Sequence, residues 1–195
     1  MKPIDNLSSQ FNFREANPQD IGEIIGIHNS HVRELNALNS HGFLLAATTE
    51  QEIIEKINHQ TQYFVAVHQD LEKNNKVLGF LALSKPKISP EFLSQIIWKD
   101  DSCQNKILSD QHLYINIVAT HPEHMSKGVA QFLYKSLYKT FPNAFFSTFI
   151  VSQPISNSRS ILFHEKQGFY WVGTLKRESF LEFKNYESVL MVKEI

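Results

Sequence analysis

Polar and apolar residues alternate in Gln10-Phe11-Asn12-Phe13-Arg14, a period of two that predicts an edge-like first strand. Asn17-Pro18-Gln19-Asp20 follows with helix-start chemistry, and Ile21, Ile24, Ile25 and His28 then recur at helical spacing. A second helix is predicted from Thr49 to His59. Thr49 can cap it, Glu52 stands three residues on, and Ile53, Ile54 and Ile57 form one apolar stripe. The segments 62–68 and 76–84 are rich in β-formers and flank the polar run 69–75, the pattern of an antiparallel hairpin with a solvated loop. Between Pro86 and Asp110 the pattern weakens: a short helix is predicted from Pro90 through Ile97, then polar residues, and the stretch reads as an insertion bordering a ligand site.

From Leu113 the pattern sharpens. Residues 113–119 predict a strand, which Thr120-His121-Pro122-Glu123 ends because proline cannot extend a hydrogen-bond ladder and restricts the residue before it. A helix is predicted from Lys127 to Thr140, with Val129, Leu133 and Leu137 on one face and Gln131, Lys135 and Lys139 on another. A strand at 145–151, a helix at 157–167 closed by Gly168, a strand from Phe169 to Val172 and a last strand at 188–192 complete the order. The mixture of strands and helices predicts an α/β (α+β) fold.

A length of 195 residues with 42% hydrophobic and 20% charged residues fits a single domain over 1–195 with a real core. The balance of 19 basic against 20 acidic residues, a net charge of −1, argues against a nucleic-acid partner, which needs a basic face. One cysteine, Cys103, makes no internal disulfide, and its polar surroundings at 100–105 read as an incidental position rather than a nucleophile. No apolar stretch is long enough for a signal-peptide core or a membrane span, so a soluble, cytoplasmic protein is expected.

The most informative segment runs from Val118 to Ala130. A strand ends, a short loop follows, and a helix begins at a glycine, which directs backbone N–H groups and the positive end of a helix dipole at one point. That geometry suits a pyrophosphate. Lys127 adds a cation, and 121–141 carries three lysines against one glutamate in an otherwise neutral chain.

Met125-Ser126-Lys127-Gly128-Val129-Ala130 resembles the Arg/Gln-x-x-Gly-x-Gly/Ala signature of the GNAT superfamily of acyl-CoA-dependent N-acetyltransferases, except at its first position. A second block, Asn157 to Phe169, resembles the family's asparagine-opened helix ending in aromatic-Glu-Lys-x-Gly-Phe. The resemblance implies a mixed, mostly antiparallel sheet of six to seven strands flanked by helices on both faces, and transfer of an acetyl group from acetyl-CoA to a primary amine of a small molecule, amino acid or peptide by direct attack in a ternary complex. It implies that the backbone at Val118, Ala119 and Thr120 pairs with the acetyl carbonyl and pantetheine arm, and that Met125, Ser126, Lys127, Gly128, Val129 and Ala130 cradle the pyrophosphate. It also implies that Asn157 bonds the pantetheine and that Phe163 packs beside it. The acceptor is expected against His41-Gly42-Phe43-Leu44-Leu45, for which core packing is the competing reading, and against the 86–110 insertion.

Where many family members carry a tyrosine acting as general acid on the departing thiolate, this chain has His164, whose ordinary pKa of about 6.5 leaves a protonated fraction at neutral pH. The competing reading makes it a residue on the exposed side of its helix. Two departures stand out: Met125 removes one side-chain donor to the phosphates, and 111–120 holds no carboxylate to serve as general base. Tyr114 and Asn116, predicted to share a strand face with His112 and Val118, either position a water or are ordinary strand residues. The departures favour an alternative, a weakly active or inactive acyl-CoA-binding module. His121-x-x-His124, with His112 nearby in sequence, is read as a surface turn rather than a metal site, because Pro122 breaks a helical i, i+3 pairing; no metal is expected. Either a monomer or a homodimer fits the sequence.

Overall fold

A computed structural model describes residues 10–33, 42–68 and 76–195; the loop expected at 69–75 and His41 of the acceptor stretch lie outside the described residues. Among the described residues, eight strands pair in one sheet, in the order 11–15, 62–68, 77–84, 112–120, 145–153, 183–194, 170–180 and 96–98. The chain forms two compact units, and β5 (His112–Thr120) belongs to both, its last five residues to the first and its first four to the second.

The first unit contains β1 (Phe11–Glu15), α1 (Ile21–Ser30), α2 (Glu50–Asn58), β2 (Gln62–His68), β3 (Val77–Ser84), the end of β5 and α5 (Val129–Thr140). β1 and β3 flank β2 in antiparallel register. Asn17 starts the entry into α1 with a capping box shared with Asp20, and the Arg14 guanidinium grips both Asp20 oxygens at 2.6 and 2.9 Å. Burial alone would raise the Asp20 pKa; the bonds from Arg14 and the Asn17 amide outweigh it and hold it low. α2 begins with the predicted Thr49 and Glu52 box. Tyr63, Val65 and Val67 pack with Ile21, Ile24, Ile27 and Ile53 of α1 and α2, while Ala66 packs with Val129 and Leu133 of α5. Alternate residues of β2 thus face opposite helices, which makes it a fully covered central strand.

The second unit contains α3 (Pro90–Leu93), β4 (Ile96–Trp98), α4 (Gln104–Ile107), the start of β5, β6 (Phe145–Gln153), α6 (Ser158–Lys166), β7 (Tyr170–Phe180) and β8 (Phe183–Glu194). β6–β8, β7–β8 and β4–β7 are antiparallel; β5–β6 is parallel over His112–Tyr114 and Phe145–Ser147. Leu93, Ile96, Cys103 and Ile107 from the insertion pack on Val172, Leu190 and Val192. Three sequence expectations need correction here. The helix expected through Ile97 stops at Leu93, and Ile96–Trp98 forms the eighth strand; a three-residue strand is too short to show alternation, and apolar residues at 92, 93, 96 and 97 mimic a helical stripe. β7 and β8 extend far beyond the predicted segments, because most of 176–182 is exposed and polar and carries no period-two signal. Cys103 is a buried core residue whose thiol burial pushes up to about 11, although its neighbours in sequence are polar.

Candidate functional site

In the first unit, β5 runs out at Thr120 and the next N–H, from His121, donates to the Leu78 carbonyl of β3 at 2.8 Å. Pro122–His124 then forms one turn of 3-10 helix with His121 as its N-cap. Met125 is extended, Ser126 has φ 62°, and Gly128 has φ 86° as the N-cap of α5. That left-handed φ is natural for glycine and costs other residues about 1–2 kcal/mol. No side chain caps α5 and no acidic residue lies in its first turn. The first amides of the helix therefore present the positive dipole end without a competing carboxylate, and Lys127 is exposed beside them. Val129 is buried and anchors the helix start in the core.

Two residues that sequence reasoning missed hold this segment. A Cβ on Gly79 would lie 2.8 Å from the Ala119 carbonyl oxygen and 2.9 Å from a Val129 methyl, so only glycine lets β3, β5 and the start of α5 approach so closely. A glycine inside a strand pattern signals close backbone approach, and that signal was present. Buried His31 donates from Nε2 to the Thr120 carbonyl at 2.7 Å. No local pattern could give that contact, since the partners stand 89 positions apart. Among the predicted residues here, Val118, Thr120, Met125, Gly128 and Ala130 are half-buried, Ala119 is buried, and Asn116, Ser126 and Lys127 are exposed. The buried Phe43 packs as core, whereas Leu44 and Leu45 are half-buried.

In the second unit, Asn157 is buried and precedes α6, its N–H donating to Val151 and its carbonyl accepting from Ile161. Half-buried Phe163 lies edge-on to His164 at 5.5 Å, and Phe169 does so at 5.3 Å. His164 is only 2% exposed, and its Nδ1 donates to the Ser160 carbonyl at 2.7 Å, which places the proton of the neutral ring on Nδ1. Burial drives its pKa down to about 4, against a smaller opposing pull from that carbonyl. Both sequence readings of His164 need revision: the ring is neither exposed nor protonated at neutral pH. Tyr114 is half-buried with its ring 6.3 Å from Phe149; burial, partly offset by a bond to the Phe149 backbone, raises its hydroxyl to about 12. The phenol therefore carries its proton at pH 7. His112, predicted to share the Tyr114 face, is buried against Ser147 Oγ at 2.7 Å and pushed by burial to about 4.

Residues 27–169 match the model of the acetyltransferase (GNAT) family, a span that takes in both blocks. The chain belongs to that family. It is an acyltransferase, and its fold is the GNAT fold with a mixed sheet of eight strands. The GNAT likeness extends to solved structures. The smu.2055 protein of Streptococcus mutans UA159 superposes with a TM-score of 0.66 at 17% identity, covering 94% of this chain and 98% of that one. The ribosomal-protein-alanine N-acetyltransferase of Brucella melitensis gives 0.63 at 16%, covering 94% and 99%. Arabidopsis thaliana NAA60 in complex with acetyl-CoA gives 0.62 at 16%, covering 95% and 98%. At these identities the likeness is one of fold. No curated protein matches the chain in sequence. Among the described residues, no helix is long and apolar enough to cross a membrane.

Proposed function

We propose that this GNAT protein transfers the acetyl group of acetyl-CoA to a primary amine of a small molecule, amino acid or peptide by direct attack in a ternary complex. The observation that carries the reading is the uncapped, acid-free start of α5, held behind Gly128 and flanked by Lys127. Met125 to Ala130 bind the pyrophosphate chiefly through backbone N–H groups, so the loss of the family's Arg or Gln at Met125 removes one donor and leaves the cradle. The backbone at Val118 to Thr120 takes the acetyl and pantetheine groups. His31 already donates to the Thr120 carbonyl, so it fixes the strand end rather than touching substrate. Asn157 and Phe163 take the pantetheine roles that the family resemblance assigns them.

The amine nitrogen attacks the thioester carbonyl carbon, the C–S bond breaks, and the thiolate accepts a proton while the amine loses one. His164 begins neutral with its proton committed to Ser160, so it positions the start of α6 and is not the acid of the first step. Of the three candidates His164, Tyr114 and Asn116, Tyr114 keeps its proton at pH 7 and donates a hydrogen bond to the departing thiolate, while the proton lost by the amine passes through water to the sulfur. Cytoplasmic solubility and an acceptor-amine partner are part of the same reading; the transfer itself needs no metal. The similarity to a fold that binds acetyl-CoA in NAA60 supports the choice of donor. The test is release of free thiol from acetyl-CoA across a panel of amines, amino acids and short peptides. Amine-dependent thiol release that falls at least tenfold in Tyr114→Phe is expected. No release with any acceptor, despite acetyl-CoA binding, would favour the binding-module reading.

A further inference from the structure

The Pro122 turn gathers more than loop geometry. Proline at its first position needs no N–H donor, and a 3-10 helix has 3.0 residues per turn, so positions i and i+3 eclipse. The proline that argues against an α-helical pairing of His121 and His124 thus produces a tighter one. Their rings lie 5.7 Å apart, and one ligating atom from each of His121, Glu123 and His124 falls within 4.8 Å of the others. His121 Nδ1 stands 4.0 Å from Glu123 Oε2. At the end of β2, His68 brings a third imidazole with its ring 5.8 Å from that of His124. His112, the third histidine considered from sequence, is spent elsewhere on Ser147.

We propose that His121, Glu123 and His124, with His68 alongside, form a binding site for Zn2+ or a similar first-row divalent ion. Imidazole nitrogens with one carboxylate are the donor set such ions select, at about 2.0–2.2 Å, whereas Mg2+ and Ca2+ favour all-oxygen sites. Drawing the ligand atoms inward requires side-chain rotation only, because Glu123 is exposed and the three histidines are half-buried. Two existing contacts compete and both are weak. Lys76 approaches Glu123 at 3.5 Å with both side chains solvated, and the Glu123 N–H donates to His121 Nδ1 across 3.3 Å in an exposed setting. The turn joins Thr120 to Met125, but the proposal does not rest on the acetyl-transfer reading.

Calorimetric titration of the tag-free, chelator-treated full chain with ZnCl2 at pH 7.5 tests this without acetyl-CoA. One equivalent is expected to bind. A His121→Asn, His124→Asn double variant is expected to lose at least tenfold in affinity with an unchanged circular dichroism spectrum, and His59→Asn, altered at an exposed histidine on the C-cap of α2, is expected to match the parent. Absence of saturable binding, or equal affinity in the double variant, would overturn the proposal.

Discussion

The start of α5 and the body of α6 carry the two blocks by which the family is recognised, yet they are built by opposite means. At α5 the groups proposed to bind are backbone amides, and the side chains that matter are the absent ones: no cap, no acid, no Cβ on Gly128 or Gly79. At α6 the centre is a side chain, His164, and its properties come from the rings of Phe163 and Phe169 and from the Ser160 carbonyl. A backbone site keeps its donors at any ordinary pH, and on the proposed reading it survives the change at Met125. A buried imidazole has its protonation set by its surroundings, so exchanging a family tyrosine for a histidine does not install an imidazolium.

The contrast breaks most visibly in acid. In the second unit His112 and His164 sit near pKa 4 when folded and near about 6.5 when unfolded. Between those values the unfolded chain binds more protons, so stability is fully present above pH 6.5 and is lost as pH falls toward 4. Two such groups give a slope approaching about 2.7 kcal/mol per pH unit at its steepest. Buried His28 of the first unit, lowered chiefly by burial, adds in the same direction. Trp98 and Trp171 both lie in the second unit, so urea midpoints followed by tryptophan fluorescence at pH 7.0, 5.5 and 4.5 measure the effect, and His164→Phe should flatten the slope.

The loop should respond to charge instead. Ser126→Asp keeps a residue that accepts the positive φ of 62° and places a carboxylate where a pyrophosphate is to sit. Acetyl-CoA affinity should fall about thirtyfold, roughly 2 kcal/mol, while Ser126→Asn stays within about threefold of the parent. Equal losses in both variants would mean that shape, rather than charge, governs the loop. A smaller effect is expected from Gly128→Ala, about 1–2 kcal/mol in a denaturant titration, because alanine must adopt a φ of 86°.

The same contrast decides how much could be read in advance. Helix punctuation is local, so the Thr49 box, the glycine before α5 and the Gly168 stop of α6 were all visible in sequence and are found in place. The family blocks extended that reading to the fold. What escaped is what distant parts of the chain decide: the His31 bond to Thr120, the strand at Ile96–Trp98 recruited by β7, and the burial that neutralises His164. The 3-10 turn at Pro122–His124 also went unread, since a proline at the first position of a turn needs no N–H donor.

The central claim is that backbone N–H groups at the start of α5 hold the pyrophosphate of acetyl-CoA, and amide NMR tests it most directly. On titration of the 15N-labelled chain with coenzyme A, the amides of Lys127 to Gln131 should move furthest within the first unit, and more than with dephosphorylated pantetheine. Resonances of 127–131 that stay fixed while coenzyme A binds would contradict the account.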